Sequence, residues 1–182
     1  MNIHSTASAN ASSANLGKNE AMKKSLEESI VMAILNISDT IVKNGDVVCQ
    51  RKGITTQQWR IMLHLAYDPN IPFIEDMKST KRPILASDLA DAFNVSRPNI
   101  TNLVNSLIEK QLVQQVEDAK DRRKKFLSLT PKGSDVLDAI QPIRKKANQR
   151  LLEHLNQAEK EDFLSSLMDC LGVLHSDFST KK

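Results

Sequence analysis

The stretch from Ala86 to Gly133 constrains this chain more than any other. A short helix (Ser87–Phe93), a tight turn and an amphipathic helix (Ser96–Lys110) are predicted first. Two short apolar strands follow, Leu112-Val113 and Phe126-Leu-Ser-Leu129, flanking the charged run Glu117-Asp-Ala-Lys-Asp-Arg-Arg-Lys-Lys125. A helix fits the major groove of a duplex, and a basic hairpin beside it can reach the backbone and minor groove. That order of elements points to a DNA reader.

In the second helix Ile100, Leu103, Val104, Leu107 and Ile108 follow the i, i+3, i+4 spacing of a core-facing stripe. They are expected to pack on Leu89, Ala90 and Phe93. Asn99, Thr101, Asn102, Asn105 and Ser106 then point outward, with Ser96 as N-cap and Arg97 and Pro98 in the first turn. Short amides and hydroxyls suit base edges: Asn pairs with adenine, Thr bonds or meets a thymine methyl, and Arg97 can take guanine or phosphate. The free N–H groups of a helix start also suit a phosphate. The same face equally fits an ordinary solvated helix. The hairpin tips the balance, because Lys120, Arg122, Arg123, Lys124 and Lys125 can neutralise phosphates. Asp121, two residues before Arg123 on an extended strand, would share its face and hold its guanidinium.

The flanks read as helices. Met22, Leu26, Ile30, Ala33, Ile34, Ile37 and Ile41 predict a long amphipathic helix from about Glu20 to Lys43, stopped by Asn44-Gly45. A second helix is expected from about Thr56 to Ala66, capped by Thr55 or Thr56, with Trp59, Met62, Leu63 and Ala66 on one face. The segment 67–83, with Pro69, Pro72 and Pro83, reads as a loop that is either functional or simply in solvent. Thr130-Pro131 is a strong helix start, and Pro142 is expected to kink the helix that follows. Asn156-Gln-Ala-Glu159 reads as a capping box opening a last helix striped with Phe163, Leu164, Leu167, Leu171, Leu174 and Phe178.

Composition adds bounds. Net charge is +3, a mild basic excess that permits nucleic-acid binding, and aromatic residues are only 4% of the chain. Arg144, Lys145, Lys146 and Arg150 form a second basic cluster that fits a solvated face as well as a binding one. The two cysteines, Cys49 and Cys170, make no disulfide framework and no zinc spacing. Cys49 reads as an unreactive thiol; the alternative is a redox-sensing thiol whose pKa is lowered by the nearby Arg51 and Lys52. Cys170 falls on the apolar side of its helix. No run of 18 apolar residues and no signal-peptide core occurs, so a cytoplasmic location is expected. No histidine sits in an acid–base or metal arrangement and no glycine loop cradles phosphate, so no enzyme, cofactor or metal site is expected.

The expected organisation is a disordered tail (1–19), an N-terminal dimerisation helix (20–53), a DNA-binding domain (54–130, with 67–83 inserted) and C-terminal dimerisation helices (131–182). Apolar stripes that a small domain cannot cover favour a two-fold homodimer over a three-helix bundle within one chain.

Asp121-Arg-Arg123, Leu127-Ser-Leu-Thr130 and Gly133 resemble the wing signature of the MarR family of bacterial transcriptional regulators. Leu89-Ala90, Val95-Ser96, Leu112-Val113 and Thr56-Gln-Gln-Trp-Arg60 fall at the family's spacing. The resemblance, over about Ile54 to Gly133, implies a mainly α chain with a small β-hairpin wing: a winged helix-turn-helix homodimer, usually a repressor at a pseudo-palindromic operator. It implies release by a small aromatic or anionic ligand, for which Trp59, Arg60, Met62, His64 and Tyr67 are the candidate contacts. It also implies that Arg123, oriented by Asp121, enters the minor groove while Ser96 to Asn105 lie in the major groove. Gln111 replaces the family's usual glycine, so the reading helix is expected to end without a left-handed cap. Gln114-Gln115 replaces a common basic residue. A winged-helix module that meets an acidic protein through Lys120–Lys125, without DNA specificity, is the competing function.

Overall fold

The computed structural model describes residues 25–72, 74, 83–118, 121 and 124–179. The expected tail, and Lys120, Arg122 and Arg123 of the wing, lie outside the described residues. The chain forms two compact units, 1–42 and 43–182. The elements are α1 (Leu26–Gln50), α2 (Thr56–Leu65), β1 (Ile84–Leu85), α3 (Ala86–Phe93), α4 (Arg97–Glu109), β2 (Val113–Glu117), β3 (Lys125–Leu129), α5 (Pro131–Leu151) and α6 (Gln157–Ser179). No described helix is long and apolar enough to cross a membrane.

The strands form one antiparallel sheet in the order β1-β3-β2, with Val113 opposite Leu129 and Glu117 opposite Lys125. Two strands were predictable as a hairpin. The third, β1, is only two residues long and pairs Ile84 with Leu127. It enters α3 directly, and the Asp88 carboxylate accepts the Leu85 N–H at 2.8 Å. Ile61, Met62, Leu89, Ile100, Val104, Leu107 and Leu127 make the core between α2, α3, α4 and the sheet.

Helix α1 does not stop at Asn44-Gly45 as expected. It runs on to Gln50, because Gly45 serves an approach rather than a break: a Cβ there would lie 2.8 Å from the Thr56 hydroxyl. Beside it the Asp46 carboxylate accepts the Thr56 N–H at 2.7 Å, which holds Asp46 below the usual carboxylate range. Thr55 caps α2, and its capping box closes with Gln58. The inner face of α2 is Gln58, Ile61, Met62 and Leu65, a rotation from the expected stripe that leaves Trp59 and Leu63 half-buried.

One closure ends four successive helices. Ile54 N–H reaches the Cys49 carbonyl, Asp68 that of Leu63, Val95 that of Ala90 and Leu112 that of Leu107. The residue before each donor is left-handed: Gly53, Tyr67, Asn94 and Gln111. This is the Schellman arrangement, in which two orphan carbonyls find donors at the cost of one positive φ. Gln111, at φ 61°, therefore takes the cap that its side chain was expected to forbid. Its neighbourhood is tied down: Thr130 Oγ1 donates to the Gln111 carbonyl at 2.7 Å and accepts from Gly133 N–H at 3.0 Å. A Cβ at Gly133 would collide with the Leu112 carbonyl oxygen, so glycine lets α5 start against the end of α4.

Thr130-Pro131 starts α5 as expected, and the helix continues through Pro142 to Leu151. The Asn156–Glu159 box opens α6, with reciprocal bonds of 2.7 and 3.1 Å.

Candidate nucleic-acid interface

Helix α4 presents its two sides as its spacing predicts. Ile100, Val104 and Leu107 are buried, while Ser96, Arg97, Pro98, Asn99, Thr101, Asn102 and Asn105 are exposed. Ser106 is half-buried, which moves it off the outward face. Ser96 is the N-cap by position but makes no side-chain bond to the first turn. Thr101 Oγ1 donates back to the Arg97 carbonyl at 2.8 Å, which commits its proton within the helix. The helix is fixed at its far end: Lys110 Nζ reaches Gln58 Oε1 at 3.1 Å, and Lys132 Nζ reaches the Lys110 carbonyl at 2.9 Å.

The hairpin beside it extends past its last ladder pair, where Asp118 N–H meets the Lys124 carbonyl at 3.0 Å. Lys124 N–H bonds the Asp121 carbonyl at 2.8 Å, a link between residues three apart that an extended run from Asp121 does not make. The expected strand geometry at Asp121 is corrected accordingly. Lys124 and Lys125 are exposed.

The five ligand candidates do not converge. Met62 is fully buried in the core, so its assignment as a ligand contact is corrected. Arg60 and His64 face Phe93: the guanidinium lies 4.8 Å from its ring centre and the imidazole 4.6 Å. His64 is buried with Nδ1 3.0 Å from the Arg60 carbonyl, and burial lowers its pKa. Tyr67 packs against the core at the end of α2. Trp59 alone borders a cleft, of about 220 Å³, with Leu63, Asp68, Leu137, Asp138 and Arg144. There Arg144 lies 2.9 Å from Asp68 and 5.6 Å from the Trp59 ring centre. Arg144 is thus partnered, not part of the solvated basic run. Asp68 and Asp138 were not anticipated; an Asp three residues into a Pro-rich turn carries no distinctive spacing.

Cys49 takes the unreactive of its two readings. Only 2% of it is exposed, and burial pushes its thiol pKa up, where the redox-sensing reading has Arg51 and Lys52 pull it down. Those two cations lie on the exposed closing turn of α1, while Cys49 faces the core. A buried, protonated thiol is a poor nucleophile. Cys170, expected on the packed side of α6, is exposed.

An outward polar helix, a following hairpin and a three-stranded sheet are the parts of a winged helix-turn-helix. Residues 52–124 match the sequence model of the MarR family. By this match residues 52–124 are a MarR-family domain, the kind found in transcriptional regulators. The chain is 26% identical over 144 residues to the homoprotocatechuate degradative operon repressor of Escherichia coli, covering 79% of this chain and 88% of that protein. It is also 26% identical over 123 residues to the transcriptional activatory protein BadR of Rhodopseudomonas palustris, covering 65% and 62% of the two. Among solved structures, the S. aureus MepR–DNA complex has a similar fold, with a TM-score of 0.64 at 24% identity over 82% of this chain and 99% of that one. Members of the MarR family act as regulators rather than enzymes.

Proposed function

We propose that this chain is a MarR-family regulator and works as a homodimer on a pseudo-palindromic operator, with α4 in the major groove and the wing along the flanking backbone. The exposed row Asn99, Thr101, Asn102 and Asn105, opposite a buried Ile100–Val104–Leu107 stripe, is the observation that carries it. Amides at helical spacing suit adenine edges, and Thr101, its proton already used within the helix, offers a methyl to thymine. Arg97 and the open N-terminal turn suit phosphate. Lys120, Asp121, Arg122, Arg123 and Lys124 supply the wing contact, Arg123 in the minor groove.

Dimerisation uses the helices that flank residues 54–130. Within α1, Leu26, Ile30, Ile34, Ile37 and Ile41 are exposed, as are Phe163, Leu164 and Leu174 of α6. Large apolar rows of this kind are covered in a soluble assembly. The protein acts in the cytoplasm as a repressor that a small molecule releases; the E. coli relative, matched over most of its length, is named a repressor.

The test is selection of bound fragments from random DNA, followed by footprinting. Two protected half-sites about one helical turn apart, roughly 10 bp, are expected. Protection of a single half-site sinks the dimeric geometry. Expression of a reporter behind the selected site, with and without the protein, decides the sign of regulation.

A further inference from the structure

The cleft between α2 and α5 already holds a cation, and it belongs to the protein. The Arg144 guanidinium rests 2.9 Å from Asp68 Oδ2 and 5.6 Å from the centre of the Trp59 ring. A carboxylate joined to an aromatic face is the pair of groups that recognises an organic cation. Asp68 is prepared for that role. Its Oδ1 accepts the Asn70 N–H at 2.9 Å and the Asn70 side-chain amide at 2.7 Å, so Oδ2 is left to the guanidinium. The Asp68 side chain is 10% exposed and that of Arg144 20%, so water covers little of the pair.

Charge selects the sign of a guest. The charged lining consists of Asp68, Asp138 and Arg144, a net negative set, and Asp138 has no ion pair among the described residues. An anion reaching the free N–H groups of Arg144 would lie against two carboxylates, Asp68 and Asp138. A cation exchanges one positive group for another on the same partners. The displaced Arg144 has solvent to enter, since Lys145 and Lys146 beside it are exposed.

We propose that this cleft takes a small planar organic cation, an aromatic amidinium or guanidinium, which stacks on Trp59 and replaces Arg144 on Asp68. The assignment rests on the ligand response proposed above and names its chemical class: it keeps the aromatic ligand that the family resemblance implies and excludes the anionic one. Binding cuts the one ion pair, among the described residues, between the turn after α2 and helix α5.

Trp59 is the only tryptophan of the chain, so its emission in the full-length protein reports directly on the cleft. Benzamidinium and benzoate share an outline and differ in charge. Benzamidinium is expected to change Trp59 emission saturably and to bind at least about tenfold more tightly than benzoate. Arg144→Met removes the internal competitor and is expected to tighten benzamidinium, with Arg144→Gln as a second variant if the first is poorly folded. Asp68→Asn, confirmed folded by circular dichroism, is expected to lose most of the binding. Preference for benzoate, no response to either probe, weaker benzamidinium binding in the Arg144 variants, or unchanged binding in Asp68→Asn overturns the assignment. Operator binding followed in parallel separates the two claims. Saturable binding without DNA release keeps the cleft assignment and removes ligand control. Release by benzoate with unchanged Trp59 emission keeps ligand control and removes the cleft assignment.

Discussion

Helices α4 and α6 carry apolar residues at the same helical spacing and meet opposite fates. In α4, Ile100, Val104 and Leu107 are at most 1% exposed; in α6, Phe163, Leu164 and Leu174 are 46%, 60% and 54% exposed. Burying one such side chain contributes about 1.5–3 kcal/mol. The first helix collects that stabilisation within its own chain and is left with an exposed polar face, the one proposed to meet DNA. The second leaves it uncollected until another surface arrives. Spacing alone therefore identifies an amphipathic helix without telling which molecule covers its stripe.

The contrast can be broken most forcefully at α6. If the proposed homodimer forms through α6, Leu164→Glu is expected to raise its dissociation constant at least about a thousandfold, roughly 4 kcal/mol, while each chain keeps its fold. Sedimentation equilibrium with circular dichroism checks this; an unchanged dimer would show that α6 buries its stripe some other way. On the α4 side, Leu107→Ala should cost about 3 kcal/mol of stability, read from urea midpoints, because it opens a cavity in a closed core. Asn102→Ala should spare stability and relax preference at one operator base, by about 2 kcal/mol if a bidentate contact is lost. Equal weakening on every DNA sequence would show that Asn102 does not face the bases.

Two smaller effects sharpen the picture of the α2–α4 region. Gln111→Gly should stabilise the protein by about 1 kcal/mol, since a left-handed residue with a side chain is strained by roughly that amount. His64 contributes on the acid side. Burial lowers its pKa from the ordinary 6.5, so the unfolded chain binds its proton first. Stability is then full above pH 6.5 and falls as the pH drops through 6.5 toward the lower folded value. Urea midpoints at pH 7.5 and 5.5 should differ less in His64→Leu than in the parent.

Signals whose partners are close in sequence are legible from the residues alone. Thr130-Pro131 and Asn156 with Glu159 close bonds within a few residues, so both partners are legible; the residues narrow the cap of α2 only to Thr55 or Thr56, and its Gln58 partner emerges from the structure. The buried row of α4 is readable because one side of it meets a single core. What escapes depends on residues far apart. Gly45 looks like a stop, yet it is small because Thr56 packs across it. Gln111 looks unsuited to a left-handed cap, yet Thr130, nineteen positions on, holds its carbonyl. Cys49 has cationic neighbours in sequence and a hydrophobic surrounding in space. The cleft at Trp59 is half legible: its indole stands out, while the Asp68–Arg144 pair that gives it a charge preference joins residues on two different elements.

The lashing of α4 has one more consequence. Its tail is moored to α2 through Lys110 and Gln58 and to α5 through Lys132 and Thr130, while Ser96 at its tip makes no side-chain cap bond. The buried Ile100 ties its leading turn to the same core, so a shift of α5 passed through these moorings would carry Arg97 and Asn99 with it.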